Sequence, residues 1–272
     1  MKNKAKTLGC LVALALGLLA ALSADAAPKK LLVVDVVKTF RHSSIDTGEK
    51  VLAELGQKSG AFTVDYVRND EDMAKKMTPE ALKGYDGAFF LSTTGPMPFP
   101  DKQAFLDWIK SGKGFMGVHA ATDTEHGNGP GPDPYIQMIG GEFIGHTVAP
   151  VECIVADPEH PATKGLPKPW KITDEIYFMK NFDRSKVHEL LYLDKGPGSN
   201  QPGYWPIAWC KMYGKGRVFY SALGHFENVW ESPEYQMHVL GGIKWALGLE
   251  KGDAKPQHAE TDDKLRPAVD GK

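Results

Sequence analysis

Five histidines lie beside glycines or after apolar runs, and their side chains are the sequence's clearest indication of chemistry: His42, His119, His126, His146 and His225. An imidazole can bind a metal ion or move a proton near neutral pH. Three of them, His42, His119 and His225, follow runs that predict parallel strands. The carboxyl ends of parallel strands meet at one edge of a sheet, so we expect these three side chains to converge there.

His119 ends a short apolar run in the segment Lys-Gly-Phe-Met-Gly-Val-His-Ala-Ala-Thr-Asp, residues 113–123. In many α/β enzymes a sharp glycine-containing turn between strand and helix lifts a nucleophile above the sheet. An imidazole is a poor substitute for the serine or cysteine of an acyl intermediate, so this turn favours different chemistry. Asp123 can reach back to His119 from one helical turn away, or it is an ordinary first-turn acid.

A metal site is one use of these histidines. The sequence has no H-E-x-x-H or C-x-x-C motif, but distant loops can still assemble a site. His42, His119 and His146 with water would suit zinc or a similar divalent ion, because imidazole is a favoured ligand. The competing use of the same groups is general acid–base catalysis, which needs a neutral and a protonated partner near the substrate.

Carboxylates supply the second group of catalytic candidates. His225 and Glu227 resemble the H-x-E end of a catalytic triad, in which the carboxylate orients the imidazole. Asp174 and Glu175, followed by Tyr177, either face the same crevice or form a solvated turn before a strand. We therefore take Glu175 and Glu227 as candidate catalytic acids and Tyr177 as a candidate substrate contact.

Aromatic side chains near loops offer flat faces that could stack on a sugar ring. Tyr204, Trp205 and Trp230 flank loop segments, and Phe40 with Arg41 directly precedes His42. Buried aromatic residues usually belong to the core, which is the competing interpretation. These residues complete the predicted substrate-binding set.

The elements that must position these residues alternate between strand and helix. Residues 30–36, 62–67, 85–91 and 113–118 are predicted strands, and 43–58 and 101–110 are predicted helices. Five further strands follow the His119 turn, at 148–156, 171–178, 187–193, 206–212 and 217–223, before a last helix at 233–248. The alternation predicts an α/β three-layer sandwich with a mostly parallel central sheet.

Composition and charge limit the classes of partner. The net charge is −2 and no block of basic residues stands out, so the sequence gives no support for a nucleic-acid partner. A small neutral ligand fits better. The sequence leaves open whether Cys153 and Cys210 form a disulfide or remain two buried thiols. A homo-oligomer is also left open.

The chain ends differ in character from its middle. Residues 1–26 have a basic start, an apolar run and a small-residue end, which predicts a secretory signal peptide and a periplasmic or secreted protein without stable membrane insertion. Residues 27–250 are predicted to form one domain. Residues 251–272 are charged and lack aromatic residues, which predicts a disordered tail.

The chain resembles the trehalose-utilisation (ThuA-like) family. The segments that carry the resemblance are 39–45, 114–122, 139–143, 160–166, 173–177, 206–209 and 214–225. The resemblance implies a flavodoxin-like, class I glutamine amidotransferase-like fold. It places His119 where an amidotransferase has its nucleophilic cysteine, and His225 and Glu227 near the triad's histidine and glutamate. Without a thiol at that position, glutamine hydrolysis is not expected.

The family resemblance also implies a carbohydrate-processing role through 3-keto sugars or 3-keto-glycosides. His119 could then remove the C2 proton while His225 or a metal stabilises the enolate, which leads to isomerisation or elimination. A non-catalytic sugar-binding protein on the same frame is the alternative. A third hypothesis is a hydrolase with paired carboxylates, Glu175 with Asp123 or Glu227.

Overall fold

The computed structural model describes residues 27–127 and 129–258. The predicted signal peptide lies outside these residues. The strands are β1 (Lys29–Val34), β2 (Phe62–Val67), β3 (Gly87–Leu91), β4 (Gly114–Val118), β5 (Glu142–Val155), β6 (Trp170–Lys180), β7 (His188–Lys195), β8 (Pro202–Tyr213) and β9 (Gly216–Ser221). The α-helices are α1 (Ile45–Ser59), α2 (Asp70–Lys76), α3 (Pro79–Leu82), α4 (Lys102–Lys110), α5 (Pro134–Ile139), α6 (Glu227–Glu231) and α7 (Pro233–Ala246). Two short 3₁₀ helices, His119–Asp123 and Arg184–Lys186, complete the elements.

The nine described strands form one mixed sheet in the order β2-β1-β3-β4-β9-β8-β7-β5-β6. From β2 to β9 the four pairings are parallel. From β9 to β6 the four pairings are antiparallel, and they include the longest ladder, between β5 and β6. The prediction of a mostly parallel sheet is therefore wrong.

The length of the connections explains this difference. Parallel neighbours need a crossover of a dozen or more residues, and the strand–helix alternation in the first half of the chain supplies it. Between β8 and β9 only residues 214–215 intervene, with Gly214 at φ 63°, so the two strands must form a hairpin. The connections from β6 to β7 and from β7 to β8 also lack an α-helix.

Helices cover both faces of the parallel half. Alternate residues of β1 point to opposite sides, so Leu31 joins a core with α1 and α7. Its neighbour Leu32 joins a second core with α2, α3, α4 and α5. This half has the layers and the β2-β1-β3-β4 order of a flavodoxin-like fold. No helix in the described part of the chain is both long and apolar enough to cross a membrane.

The segment after α7 is ordered where the structure describes it. The carbonyl oxygen of Lys255 lies 2.8 Å from Nδ1 of His188. The side-chain oxygen of Gln257 accepts the backbone N–H of Glu189 at 2.8 Å. Within the segment predicted as a disordered tail, Lys255 and Gln257 therefore contact β7. Residues 259–272 lie outside the described residues.

Cys153 and Cys210 are both free and buried. Burial raises the pKa of Cys153 to about 12 and that of Cys210 well above its usual value. The structure therefore favours two core thiols over a disulfide.

Candidate active site and metal centre

The expected turn after β4 forms and carries His119. All five residues of β4 are buried, and the backbone then turns at His119 with φ 49°. This left-handed conformation costs a residue with a side chain about 1–2 kcal/mol. Gly117 allows the turn to pack closely, because a Cβ there would lie 3.0 Å from the Cβ of Ala121 and from Cδ1 of Ile139. The strained backbone lies at the point where the His119 side chain extends from the carboxyl edge of the sheet.

The turn at residues 223–225 places His225. Gly224 has φ 114°, and a Cβ there would lie 2.4 Å from the hydroxyl oxygen of Tyr235, so only glycine fits. Its carbonyl oxygen accepts hydrogen bonds from Ser44 Oγ at 3.1 Å and from Trp230 Nε1 at 3.0 Å. Ser44 is the N-cap residue of α1, but its hydroxyl bonds to Gly224 and joins the His42 loop to the His225 turn.

Asp174 holds the same turn from β6. Its carboxylate accepts the backbone N–H of Gly224 at 2.7 Å and that of His225 at 3.2 Å. The side chain is fully buried, and burial raises its pKa. Asp174 therefore positions His225 through the backbone.

Four ligating atoms meet at the carboxyl edge of the sheet, as expected for His42, His119 and His225. Nε2 of His119 lies 3.2 Å from Nε2 of His42, 3.1 Å from Nδ1 of His225 and 3.3 Å from Oε2 of Glu175. Nδ1 of His225 lies 3.1 Å from the same carboxylate oxygen. All four atoms fall within 4.8 Å of one another. We call these four residues the carboxyl-edge cluster.

Hydrogen bonds alone do not explain this arrangement. Nδ1 of His119 lies 2.9 Å from the carbonyl oxygen of Ala222, and a carbonyl only accepts, so Nδ1 carries the proton. In the neutral ring Nε2 then carries a lone pair, which faces a carboxylate oxygen and two imidazole nitrogens. A bound cation would interact favourably with all of these atoms. An N–H directed at a backbone carbonyl is also what metal-binding histidines normally show.

The separations between the ligating atoms fit a small divalent ion. Around a tetrahedral zinc with bonds of about 2.0–2.1 Å, ligand atoms lie about 3.3–3.4 Å apart. Four of the pairs in the cluster are separated by 3.1–3.3 Å. Three imidazoles and one carboxylate also match the ligand types of zinc sites. The residues therefore fit a metal of this class.

Electrostatics favour the metal-binding protonation states of His42 and Glu175. Burial, together with the charges of His119 and His225, lowers the pKa of His42 to about 3, so this imidazole is neutral at physiological pH. Burial alone would raise the pKa of Glu175, but the neighbouring His119 and His225 hold it well below its usual value. Burial lowers the pKa of His225, but the hydrogen bond and the charge of Glu175 raise it by a larger amount. The pKa of His225 is therefore above its usual value.

His146 lies beside the cluster. It was predicted as a metal ligand with His42 and His119, but its Nδ1 lies 2.8 Å from Oε1 of Glu175, the oxygen that faces away from His119. Half of the side chain is exposed. Because a carboxylate only accepts, Nδ1 donates the hydrogen bond and the lone pair lies on Nε2. His146 is thus an exposed imidazole oriented by a buried carboxylate.

Two predicted carboxylates have other neighbours. Glu227 begins α6, and a hydrogen bond from Ser43 lowers its pKa. The carboxylate in contact with the His225 ring is that of Glu175, so the H-x-E interpretation is wrong about the partner. Asp123 is half-buried in the 3₁₀ helix; burial raises its pKa, and the nearby charges that act on it are those of His126 and Glu142.

The predicted substrate-binding residues divide by exposure. Phe40 is 63% exposed and stands edge-on to the His42 ring, with centroids 4.9 Å apart. Arg41 is also exposed and forms an ion pair with Asp46. Tyr177 is buried under the cluster, its ring centroid 4.2 Å from that of His119.

The remaining aromatic candidates lie in the interior. Trp230 is fully buried and supports Gly224. Tyr204 is buried and donates a hydrogen bond to Glu189. Trp205 is half-buried and packs against the core. Buried rings cannot stack on a ligand, so Phe40 is the exposed aromatic face among these candidates.

Sequence reasoning did not find two features of the site. Glu175 was a candidate acid, but its bridge between the cluster and His146 was not foreseen, and Asp174 was not recognised as the residue that holds the His225 turn. Their adjacency on β6 was the only available signal. This signal could not be interpreted, because Glu175 lies 50 positions before His225 in the chain.

A family model described as trehalose utilisation, ThuA, matches residues 30–246. A ThuA-like protein from Bacteroides uniformis ATCC 8492 has a similar structure, with a TM-score of 0.65, 23% identity, and coverage of 84% of this chain and 94% of that chain. A ThuA-like protein from Parabacteroides merdae ATCC 43184 gives a TM-score of 0.66, 21% identity, and coverage of 86% and 96%. No curated protein matches the chain at a significant level.

Proposed function

Since the chain belongs to the ThuA family of trehalose utilisation, and so has a carbohydrate-related role, we propose that it is an enzyme acting on 3-keto sugars or 3-keto-glycosides. The observation that carries this proposal is the convergence of three imidazole nitrogens and a carboxylate oxygen within 4.8 Å. The signal peptide predicted at residues 1–26 supports action after export, in the periplasm or outside the cell.

His42, His119, His225 and Glu175 would hold a divalent metal ion, zinc or a similar one. The lone pair of His119 Nε2 directed at the other ligating atoms supports this assignment. When bound, the ion would polarise the C3 carbonyl oxygen of a keto sugar as a Lewis acid. The buried hydrogen bonds of His119 and Asp174 keep the ligands in place without a change of structure.

His146 is the best-supported general base. We had given that role to His119, but His119 is fully buried and its Nε2 is enclosed by the other three ligating atoms. His146 is half exposed, and Glu175 fixes its tautomer with the lone pair on Nε2. The two oxygens of one carboxylate thus serve two tasks, with Oε2 directed to the cluster and Oε1 to the base.

The proposed reaction begins with removal of the C2 proton by Nε2 of His146. The C3 carbonyl makes this proton acidic, and the electron pair of the C2–H bond forms the C2=C3 bond of an enolate. In a glycoside the C3 carbonyl then re-forms, the electron pair moves to a C1=C2 bond and the C1–O bond breaks. His146 returns the proton to the departing oxygen. In a free keto sugar, the proton of the C2 hydroxyl passes to the C3 oxygen, so that the negative charge moves to the oxygen on C2. His146 then returns its proton to C3, the carbonyl re-forms at C2, and the product is the 2-keto isomer.

Deuterium exchange at C2 tests this proposal. Zinc-loaded protein is incubated with a panel of 3-keto disaccharides in D₂O, and the C2 proton is followed by NMR together with the products. We expect exchange and cleavage with the wild-type protein. His146→Ala should slow both by at least about 100-fold, because a general base contributes about that much or more. Its zinc content should stay the same, since His146 lies outside the cluster.

His126→Ala is the matched control. His126 is also partly exposed and contacts a buried glutamate, Glu142, through Nδ1 at 3.2 Å. Its removal should leave exchange unchanged. Equal rates for wild type and His146→Ala would remove His146 from the mechanism. Sugar binding without exchange in the wild-type protein would favour a non-catalytic sugar-binding protein instead.

A further inference from the structure

The sheet opens where β5 separates from β7. The two strands pair only at Ile154–Tyr192 and Val155–Leu191. Before residue 154, β5 continues with β6 alone, while β7 continues toward its turn into β8. A cleft of about 1020 Å³ lies between the diverging strands. We call it the split-strand cleft.

Part of the cleft lining comes from the face of the hairpin that carries Glu175. Directly opposite residues of an antiparallel pair share a face, and alternate residues of each strand share that face too. The pairs Val148–Glu175 and Pro150–Thr173 therefore lie side by side on one face of the β5–β6 hairpin. Pro150 and Thr173 line the cleft. Two residues of a strand span roughly 7 Å, so the cleft begins one step from Glu175.

A solvent-exposed track joins the two places. His146, Val148, Pro150 and Glu152 occupy alternate positions of β5, and all four are exposed. His146 contacts Glu175 at one end of this track. Glu152 lines the cleft at the other. A ligand bound at the carboxyl-edge cluster can therefore extend into the cleft without crossing buried chain.

The lining mixes compensated charges with neutral hydrogen-bonding groups. Glu152 forms an ion pair with Lys171 at 2.9 Å. The hydrogen bond from Lys171 lowers the pKa of Glu152, and the charge of Lys195 lowers it further. Ser199 and Asn200 in the β7–β8 turn add a hydroxyl and an amide. The lining as a whole holds three lysines and two acidic residues, so donors and acceptors are both present and the charges nearly balance. This chemistry suits a neutral polyhydroxylated ligand better than an anion or an apolar group.

We propose that the split-strand cleft binds the further sugar units of a neutral oligosaccharide whose oxidised terminal unit lies at the carboxyl-edge cluster. This inference rests on the proposed function and names its substrate class as longer than a disaccharide. The Thr173 hydroxyl lies on the shared face between the two places, so it marks the passage from the cluster to the cleft.

Binding of unoxidised oligosaccharides tests the inference without any chemistry. Neutral tetrasaccharides with α and β linkages, and the matching disaccharides, are titrated into the zinc-loaded protein by calorimetry. We expect at least one tetrasaccharide to bind about tenfold or more tightly than its disaccharide, because the extra units add contacts. Thr173→Trp should abolish that difference by filling the cleft. Asn200→Ala, at an exposed turn position that leaves the fold intact, should reduce it.

Thr63→Trp is the matched control, since Thr63 is an exposed strand residue on β2 at the opposite edge of the sheet. It should leave the preference for longer sugars unchanged. Equal affinity for both lengths, no binding by any neutral tetrasaccharide, or an equal loss in Thr63→Trp would overturn the inference. Preference for an anionic oligosaccharide would overturn it too.

The two proposals fail in different ways. Length-dependent binding that Thr173→Trp abolishes, without deuterium exchange at C2, would uphold the cleft and reject the proposed reaction. Exchange at C2 with no length dependence in any variant would uphold the reaction and reject the cleft.

Discussion

Two groups of buried histidines differ in where their ring nitrogens point. In the carboxyl-edge cluster, Nε2 of His119 faces three other ligating atoms. Near α7, Nδ1 of His238 lies 2.6 Å from the carbonyl oxygen of Ala162, and its Nε2 lies 3.1 Å from Ser221 Oγ. His160 also has a partner at each ring nitrogen. Its Nδ1 accepts the N–H of Ala162, and its Nε2 contacts Cys210 Sγ at 3.7 Å.

The difference separates a site from a scaffold. His119 and His238 are both fully buried, so burial alone does not tell them apart. Around His238 each ring nitrogen meets one complementary group, which stabilises the fold. Around His119, Nε2 faces three ligating atoms at once, an arrangement that suits a bound cation, and the backbone is strained as well. A ring nitrogen that faces several ligating atoms, rather than one hydrogen-bond partner, therefore distinguishes the functional His119 from the structural His238.

His119→Ala gives the largest expected effect on this comparison. Removing the central ligand should weaken zinc binding by at least about 100-fold and abolish turnover, because loss of a residue that only orients a metal ligand already costs about 10–100-fold. Zinc content by mass spectrometry after dialysis and the rate of C2 exchange measure this. Retention of zinc at the wild-type level would contradict the assignment of the cluster.

His238→Ala should have the opposite profile. It removes two buried hydrogen bonds and leaves a cavity, so the free energy of unfolding should fall by about 2–4 kcal/mol. Zinc affinity should be unchanged. Urea unfolding with chelator present measures the first quantity, and the loss should exceed that of His119→Ala. Loss of zinc affinity as well as stability in His238→Ala would contradict the distinction between the two groups of histidines.

Asp174→Asn sharpens the comparison within the site. The carboxylate accepts two backbone N–H groups of the His225 turn, and an amide can replace only one of its oxygens. We expect zinc affinity to fall by about 10–100-fold, as for other residues that position a metal ligand. Competition with a chelator of known affinity measures it. An unchanged affinity would show that the turn holds its shape without Asp174.

Acidification should lower the free energy of unfolding gradually, through the buried structural histidines His160 and His238. Burial lowers the pKa of His160 and His238 to about 4, from 6.5. Between pH 6.5 and 4 the unfolded chain binds protons that the folded chain excludes, so stability falls as the pH drops, by about 1.4 kcal/mol per pH unit for each residue. Urea unfolding across this range, with chelator, measures the slope. His238→Gln should reduce it by one residue's share.

Glu227→Gln has the smallest expected effect. Its side chain is held by Ser43, and its role as partner of His225 is taken by Glu175. We expect turnover to change by less than about twofold and stability by less than about 0.5 kcal/mol, as for surface positions. A loss of turnover like that of His119→Ala would restore the H-x-E interpretation.

The predictable part of the fold is the part with local signals. The strand–helix alternation identified the parallel half, and the glycine-flanked segment before His119 identified the turn. The antiparallel half was assigned the wrong direction, although the short connections between its strands contained the information. Helix α5 was missed because its stability comes from contacts with residues distant in the chain.

The sequence by itself predicted that three histidines come after parallel strands and meet at one edge, because the carboxyl ends of parallel strands lie together there. Tertiary structure alone decided that Glu175 joins them, that His146 stays outside, and that Tyr204 and Trp230 are buried. The first two outcomes depend on where the β5–β6 hairpin lies, because it brings Oε2 of Glu175 to 3.3 Å from Nε2 of His119, a residue 56 positions earlier in the chain. No local propensity encodes such a pairing, since it arises only when the whole core packs.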